Sequence, residues 1–194
     1  MAAPRAAAAA LCAVLAATVL VSCSHGAPPP VDLRTVDWSA ATLPGGFCEI
    51  GAPVVFHGGE AEADSARWGR VHLGVAHDAY YGDLDGDGRE EAVAVLGCDN
   101  GGGTAAGQLA YAAVVLTPDR SGPRVLGTLP PQHRPAEGVH TTLIREVTVL
   151  TGRVVVTEQW YGPEDPTCCP GGRGETVWTL QDGRLAPDPA ATPG

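Results

Sequence analysis

The 194-residue chain carries 22 acidic residues against 12 basic ones, all arginine, for a formal charge of −10 at pH 7. That balance excludes the basic patches that nucleic acids and anionic lipid surfaces need, so neither is expected as an electrostatic partner. With a composition 44% hydrophobic, the length suits one domain with a real core and short ends.

The N-terminus reads as an export address. Arg5 supplies a positive charge, and Ala6 to Val21 is apolar except for Thr18. The run has the length of a secretory hydrophobic region and is short for a membrane span. It closes on Leu20-Val21-Ser22-Cys23, which resembles the bacterial lipoprotein signal [LVI]-x-[small]-Cys. The resemblance implies cleavage before Cys23, acylation of its sulfur (palmitate) and a lipid anchor on the extracytoplasmic face of the cell membrane. The competing reading is an uncleaved membrane anchor. Residues 1–22 are thus expected to be a signal peptide and 23–36, with Pro28 to Pro30, a tether. The β domain is expected over 37–185, and a disordered Pro/Ala-rich tail over 186–194.

Four cysteines then remain in the exported part: Cys48, Cys98, Cys168 and Cys169. An even number in an oxidising compartment predicts two disulfides, with three connectivities open. Adjacent Cα atoms lie about 3.8 Å apart, below the usual disulfide range of about 4.4–6.8 Å. The favoured pairing therefore sends Cys168 and Cys169 outward to Cys48 and Cys98; the vicinal alternative would suggest a redox switch.

Between the ends, alternating and β-branched runs are split by Gly, Pro and Asp. They predict strands at Pro53–His57, Arg70–Ala76, Glu91–Gly97, Gln108–Leu116, Arg124–Leu129, Thr142–Leu150, Arg153–Tyr161 and Thr176–Leu180, with a short one around Leu185. Leu150-Thr151-Gly152-Arg153 and Asp182-Gly183 read as hairpin turns. Ala61–Trp68 is expected as a short helix. The predicted class is mainly β: a compact antiparallel sheet or meander, sandwich- or partial-barrel-like and disulfide-stapled. No segment recurs, which argues against a multi-blade array.

The chemistry concentrates in Asp83-Leu84-Asp85-Gly86-Asp87-Gly88-Arg89-Glu90-Glu91. Asp83, Asp85, Asp87 and Glu91 occupy loop positions 1, 3, 5 and 9, and the Arg89 carbonyl at position 7 offers a fifth oxygen. Hard, mostly charged oxygen ligands at this spacing suit Ca²⁺ in a structural role and suit Zn²⁺ or copper poorly. An EF-hand would need Glu at position 12, where Ala94 stands. The loop and the following Ala92-Val93-Ala94-Val95-Leu96 resemble the calcium loop D-x-D-G-D-G-x-x-[DE] of FG-GAP repeats. That resemblance covers Tyr80 to Leu96 and implies a local strand–loop–strand unit rather than a propeller. The competing reading is a solvated acidic turn. The combination of Tyr81 to Ala92, Cys168-Cys169-Pro170 and Val177-Trp178 is also similar to small lipoproteins of high-GC Gram-positive bacteria, a resemblance that implies no activity.

Other candidates are weaker. His72 and His77 are five apart and should face opposite ways on a strand. Asp99 to Thr104 lacks a phosphate-loop pattern and reads as a flexible loop beside the metal site. Trp160 is expected to pack in the core; the competing reading is a binding surface of exposed aromatics, Trp160 and Tyr161, on a disulfide-pinned loop. No nucleophile motif of the G-x-S-x-G kind is present. The functional expectation is a non-catalytic envelope module that binds a protein or cell-wall ligand. The alternatives are a secreted hydrolase or a thiol redox role for Cys168-Cys169.

Overall fold

The computed structural model describes residues 28–75, 78–136 and 138–190. The signal peptide, Cys23 and His77 lie outside these residues. Strands make up 51% of the structure, and among the described residues no helix reaches seven residues. Among the described residues, no helix is long and apolar enough to cross a membrane.

The described residues form twelve strands in order: β1 (Thr42–Pro44), β2 (Pro53–Val55), β3 (Glu60–Ser65), β4 (Gly69–Val75), β5 (Tyr80–Gly82), β6 (Glu91–Asp99), β7 (Gln108–Asp119), β8 (Gly122–Leu129), β9 (Leu143–Leu150), β10 (Arg153–Trp160), β11 (Gly172–Gln181) and β12 (Arg184–Pro187). All ladders are antiparallel. The central sheet runs β3-β4-β6-β7-β8, with β5 sharing the β4 edge of β6. A four-stranded sheet runs β12-β11-β10-β9, and β1 pairs with β2 alone.

The reason for three layers lies in β6. Every residue from Glu91 to Leu96 is buried. With a side-chain period of two, Ala92, Ala94, Leu96 and Cys98 enter one core with Leu33, Trp38, Leu43 and Phe56 of the N-terminal layer. Val93 and Val95 enter a second core with Ile144, Val147, Val154 and Val156 of the four-stranded sheet. A continuous apolar run marks a strand covered on both faces, where alternation would mark one wet face.

Four expectations change. Ala61–Trp68 is not a helix: Glu60, Glu62 and Asp64 point outward while Ala61, Ala63 and Ser65 turn in, and β3 pairs with β4 as Glu62↔His72 and Asp64↔Arg70. Ser65 Oγ then accepts the Arg67 and Trp68 amides at 3.2 and 3.3 Å and closes the turn. The second change is the pairing of the cysteines. Cys48 bonds Cys98, Cα atoms 6.2 Å apart, because both project into the N-terminal core. Cys168 bonds Cys169 on the β10–β11 connection, which belongs to the other layer. Third, the domain starts before residue 37: the Val31 amide donates to the Asp119 carbonyl and Leu33 is buried. Fourth, the expected tail begins later than Ala186, since Ala186 and Pro187 pair with Thr179 and Trp178.

Candidate metal centre

The acidic loop joins β5 to β6, so its two ends are neighbouring strands of one sheet, with Gly82 opposite Glu91. Inside it, the acids first organise the backbone. Asp83 accepts the Gly86 amide at 2.8 Å on Oδ1 and the Gly88 amide at 3.0 Å on Oδ2. Asp85 Oδ1 accepts the Asp87 amide at 3.1 Å. Gly86 and Gly88 take φ of 79° and 83°, the left-handed region that a side chain resists.

Leu84 anchors the loop. Its side chain is fully buried in the second core, its carbonyl accepts the Gly152 amide at 2.7 Å, and the Thr151 hydroxyl donates to the Asp83 carbonyl at 3.1 Å. The β9–β10 turn is therefore a shelf for the loop. Gly82 lets it sit close, because a Cβ there would meet the Val149 carbonyl at 2.7 Å.

Of the sequence-predicted ligands, Asp83, Asp85 and Glu91 converge: one oxygen from each lies within 4.8 Å of the others. Asp87 stands outside this trio. Its Oδ1 accepts the Arg89 amide at 2.9 Å and its Oδ2 meets the Arg89 guanidinium. Glu91 is 1% exposed, with Oε2 accepting the Leu84 amide at 2.8 Å and Oε1 the Thr117 hydroxyl at 3.0 Å. Burial pushes its carboxyl above the usual range, opposed by the bonds from Leu84 and Thr117 and reinforced by the charge of Asp85. Glu90 faces away: a two-pronged bond from Arg34 holds it below the usual carboxylate range.

Three carboxylates this close repel by about 3 kcal/mol per pair at an effective dielectric near 20. Each also keeps lone pairs beyond the bonds described. The arrangement can accept a hard cation with oxygen ligands, and it offers no group of the soft kind. Thr117 and Leu84 are roles that motif reading missed. An apolar residue between two aspartates was the available signal for Leu84; Thr117 lies 26 residues from Glu91 and carried none.

The remaining candidates disperse. Asp99 to Thr104 follows the far end of β6 from Glu91, and Gly101 packs against His72, so this loop is not beside the acidic one. Trp160 is half-buried and stacks on His133, ring centroids 4.7 Å apart. Cys168 and Cys169 are exposed at the tip of a loop. There Asp165 accepts the Gly162 and Gly171 amides, both at 2.7 Å, and Tyr161 donates to the Thr167 carbonyl at 3.1 Å. Glu158 is fully buried on β10. It accepts the Gln132 and His133 amides and the Thr176 hydroxyl, with His133 Nδ1 at 3.1 Å.

No family model matches the chain, and no curated protein or solved structure matches it.

Proposed function

We propose that the chain is a lipid-anchored extracytoplasmic module whose β5–β6 loop binds Ca²⁺ structurally and whose surface serves binding rather than catalysis. The observation that carries the calcium reading is the convergence of Asp83, Asp85 and Glu91 within 4.8 Å on a loop already held by its own backbone bonds. Asp87 and the Arg89 carbonyl complete the ligand set in this reading, with the Arg89 side chain released from Asp87. The role is structural because the loop joins two strands that line both cores. A site of this kind in a calcium-rich exterior needs a dissociation constant of only about 10⁻⁴–10⁻³ M.

Thermal unfolding of the purified protein in excess EDTA, then in millimolar Ca²⁺ and equal Mg²⁺, tests it. Calcium should raise the melting temperature, magnesium should do so less, and Asp85→Ala should abolish the rise. An equal calcium response in Asp85→Ala would remove the loop as the site. The anchor is tested separately: Cys23→Ala should move the protein out of the membrane fraction.

One observation favours a second reading. The Cys168–Cys169 bond stands open to solvent, as a thiol-exchange site requires. Under a graded dithiol buffer it should reduce well before the buried Cys48–Cys98 bond, with both read by mass after alkylation.

A further inference from the structure

A cleft of about 420 Å³ opens between the Cys48 turn, the β3–β4 turn and the segment that leads from β8 to β9. Its volume falls in the range of small-molecule sites, about 300–1,000 Å³. Among its described residues the charge is the reverse of the molecule's. On a chain with 22 acids to 12 arginines, the described lining carries Arg67 and Arg134 against the single carboxylate of Glu49, with His140 between the loops.

The guanidiniums are not consumed by the fold. Arg67 meets Glu49 through one contact of 3.5 Å, and its head lies over the Trp68 ring at 5.1 Å, which fixes its direction. Arg134 is exposed and makes no ion pair among the described residues. Phe47, Trp68 and Tyr111 supply half-buried ring surface to the same cleft. Its floor is tied at two points: Glu49 follows the cystine residue Cys48, and its carbonyl accepts the Ala66 amide at 3.0 Å. Glu49 also holds φ at +52°, a left-handed backbone that non-glycine residues adopt rarely and that gathers at functional sites.

We propose that this cleft binds a small anion, a carboxylate or phosphate, carried on an apolar ring. The planar guanidinium fork matches either group in two-pronged fashion, while the aromatic walls cover the ring. The inference deepens the binding role proposed above, yet it uses neither Cys23 nor any residue of the acidic loop.

The test titrates the full-length protein, in calcium buffer, with phenyl phosphate, benzoate, benzyl alcohol and inorganic phosphate, reading tryptophan fluorescence and heat. At least one aromatic anion should bind about tenfold or more tighter than benzyl alcohol, and whichever is tighter assigns the head group. Arg134→Gln and Arg67→Gln should each weaken that binding about tenfold while leaving the calcium-dependent melting rise in place; Arg120→Gln, on the β7–β8 turn, should leave affinity unchanged. Anions no tighter than benzyl alcohol, or an Arg134→Gln variant of full affinity, would overturn the site. Inorganic phosphate equal to phenyl phosphate would overturn the ring-bearing ligand. A failed titration leaves the calcium rise standing, and a missing calcium rise leaves the titration standing, so the two readings fail separately.

Discussion

The two outer layers of this domain are fastened to the same central sheet by different means. The N-terminal layer consists of short 3₁₀ turns and the three-residue strands β1 and β2, so it has few ladder bonds of its own and is held by Cys48–Cys98. The C-terminal layer is a four-stranded meander with ladders of up to eight residue pairs. Its crossover is gathered by Glu158, which accepts the Gln132 and His133 amides and the Thr176 hydroxyl, and its β9–β10 turn meets the acidic loop through Gly152 and Thr151. A layer poor in backbone pairing takes a covalent staple; a layer rich in it takes hydrogen bonds, with a buried carboxylate at their centre.

The largest expected effect breaks the first fastening. Replacing both Cys48 and Cys98 by Ala frees a loop of 50 residues, which chain-entropy reasoning values at about 4 kcal/mol. Calorimetry should show a fall in melting temperature of about 10 °C. Next comes the second fastening. Glu158→Gln turns an amide N–H₂ toward donors that now face a carboxylate, at a cost of about 2 kcal/mol by denaturant unfolding. If Glu158→Gln cost as much as the cystine, the two layers would not differ in kind.

Two smaller effects sharpen the contrast at the exposed cysteine loop. Asp165 holds Gly162 and Gly171, and those two amides lower its carboxyl below the ordinary 3.8. A carboxyl whose folded pKa is depressed contributes stability in full above its unfolded value and loses it as pH falls through the folded one. The Asp165 midpoint, followed by carboxyl NMR, should therefore lie below 3.8, with the loop loosening as pH falls through it. The smallest effect is expected for Cys168→Ala with Cys169→Ala. That bond closes no chain loop of any length, so stability should change by less than about 0.5 kcal/mol. A large loss there would make the vicinal bond a structural staple.

Turns and loop backbone built by near neighbours were legible in the sequence. The Asp83–Glu91 spacing was visible because Asp83, Asp85 and Asp87 each organise amides two to five positions ahead while Glu91 reaches back to Leu84, and the β9–β10 turn was visible because Gly152 takes φ of 80°. The segment Ala61–Trp68 was misread as helix because small and acidic residues suit both periods over so short a run; pairing with β4 decided it. The cysteine pairing was misread for a related reason. Sequence shows the strain of a vicinal bond but not which core a thiol enters, and among the described cysteines only Cys48 enters the core of Cys98.

Sequence alone determined the β class, the order of most strands and the acidic loop, since side-chain alternation, apolar runs and glycine turns are properties of neighbouring residues. Tertiary structure decided the three layers, the covalent pairing, the shelf under Leu84, the cover of Thr117 over Glu91 and the cationic cleft around Arg67 and Arg134. Each of these joins residues far apart in the chain, and their meeting depends on which sheet edge and which face of β6 each segment finds, a choice that only the packed core makes.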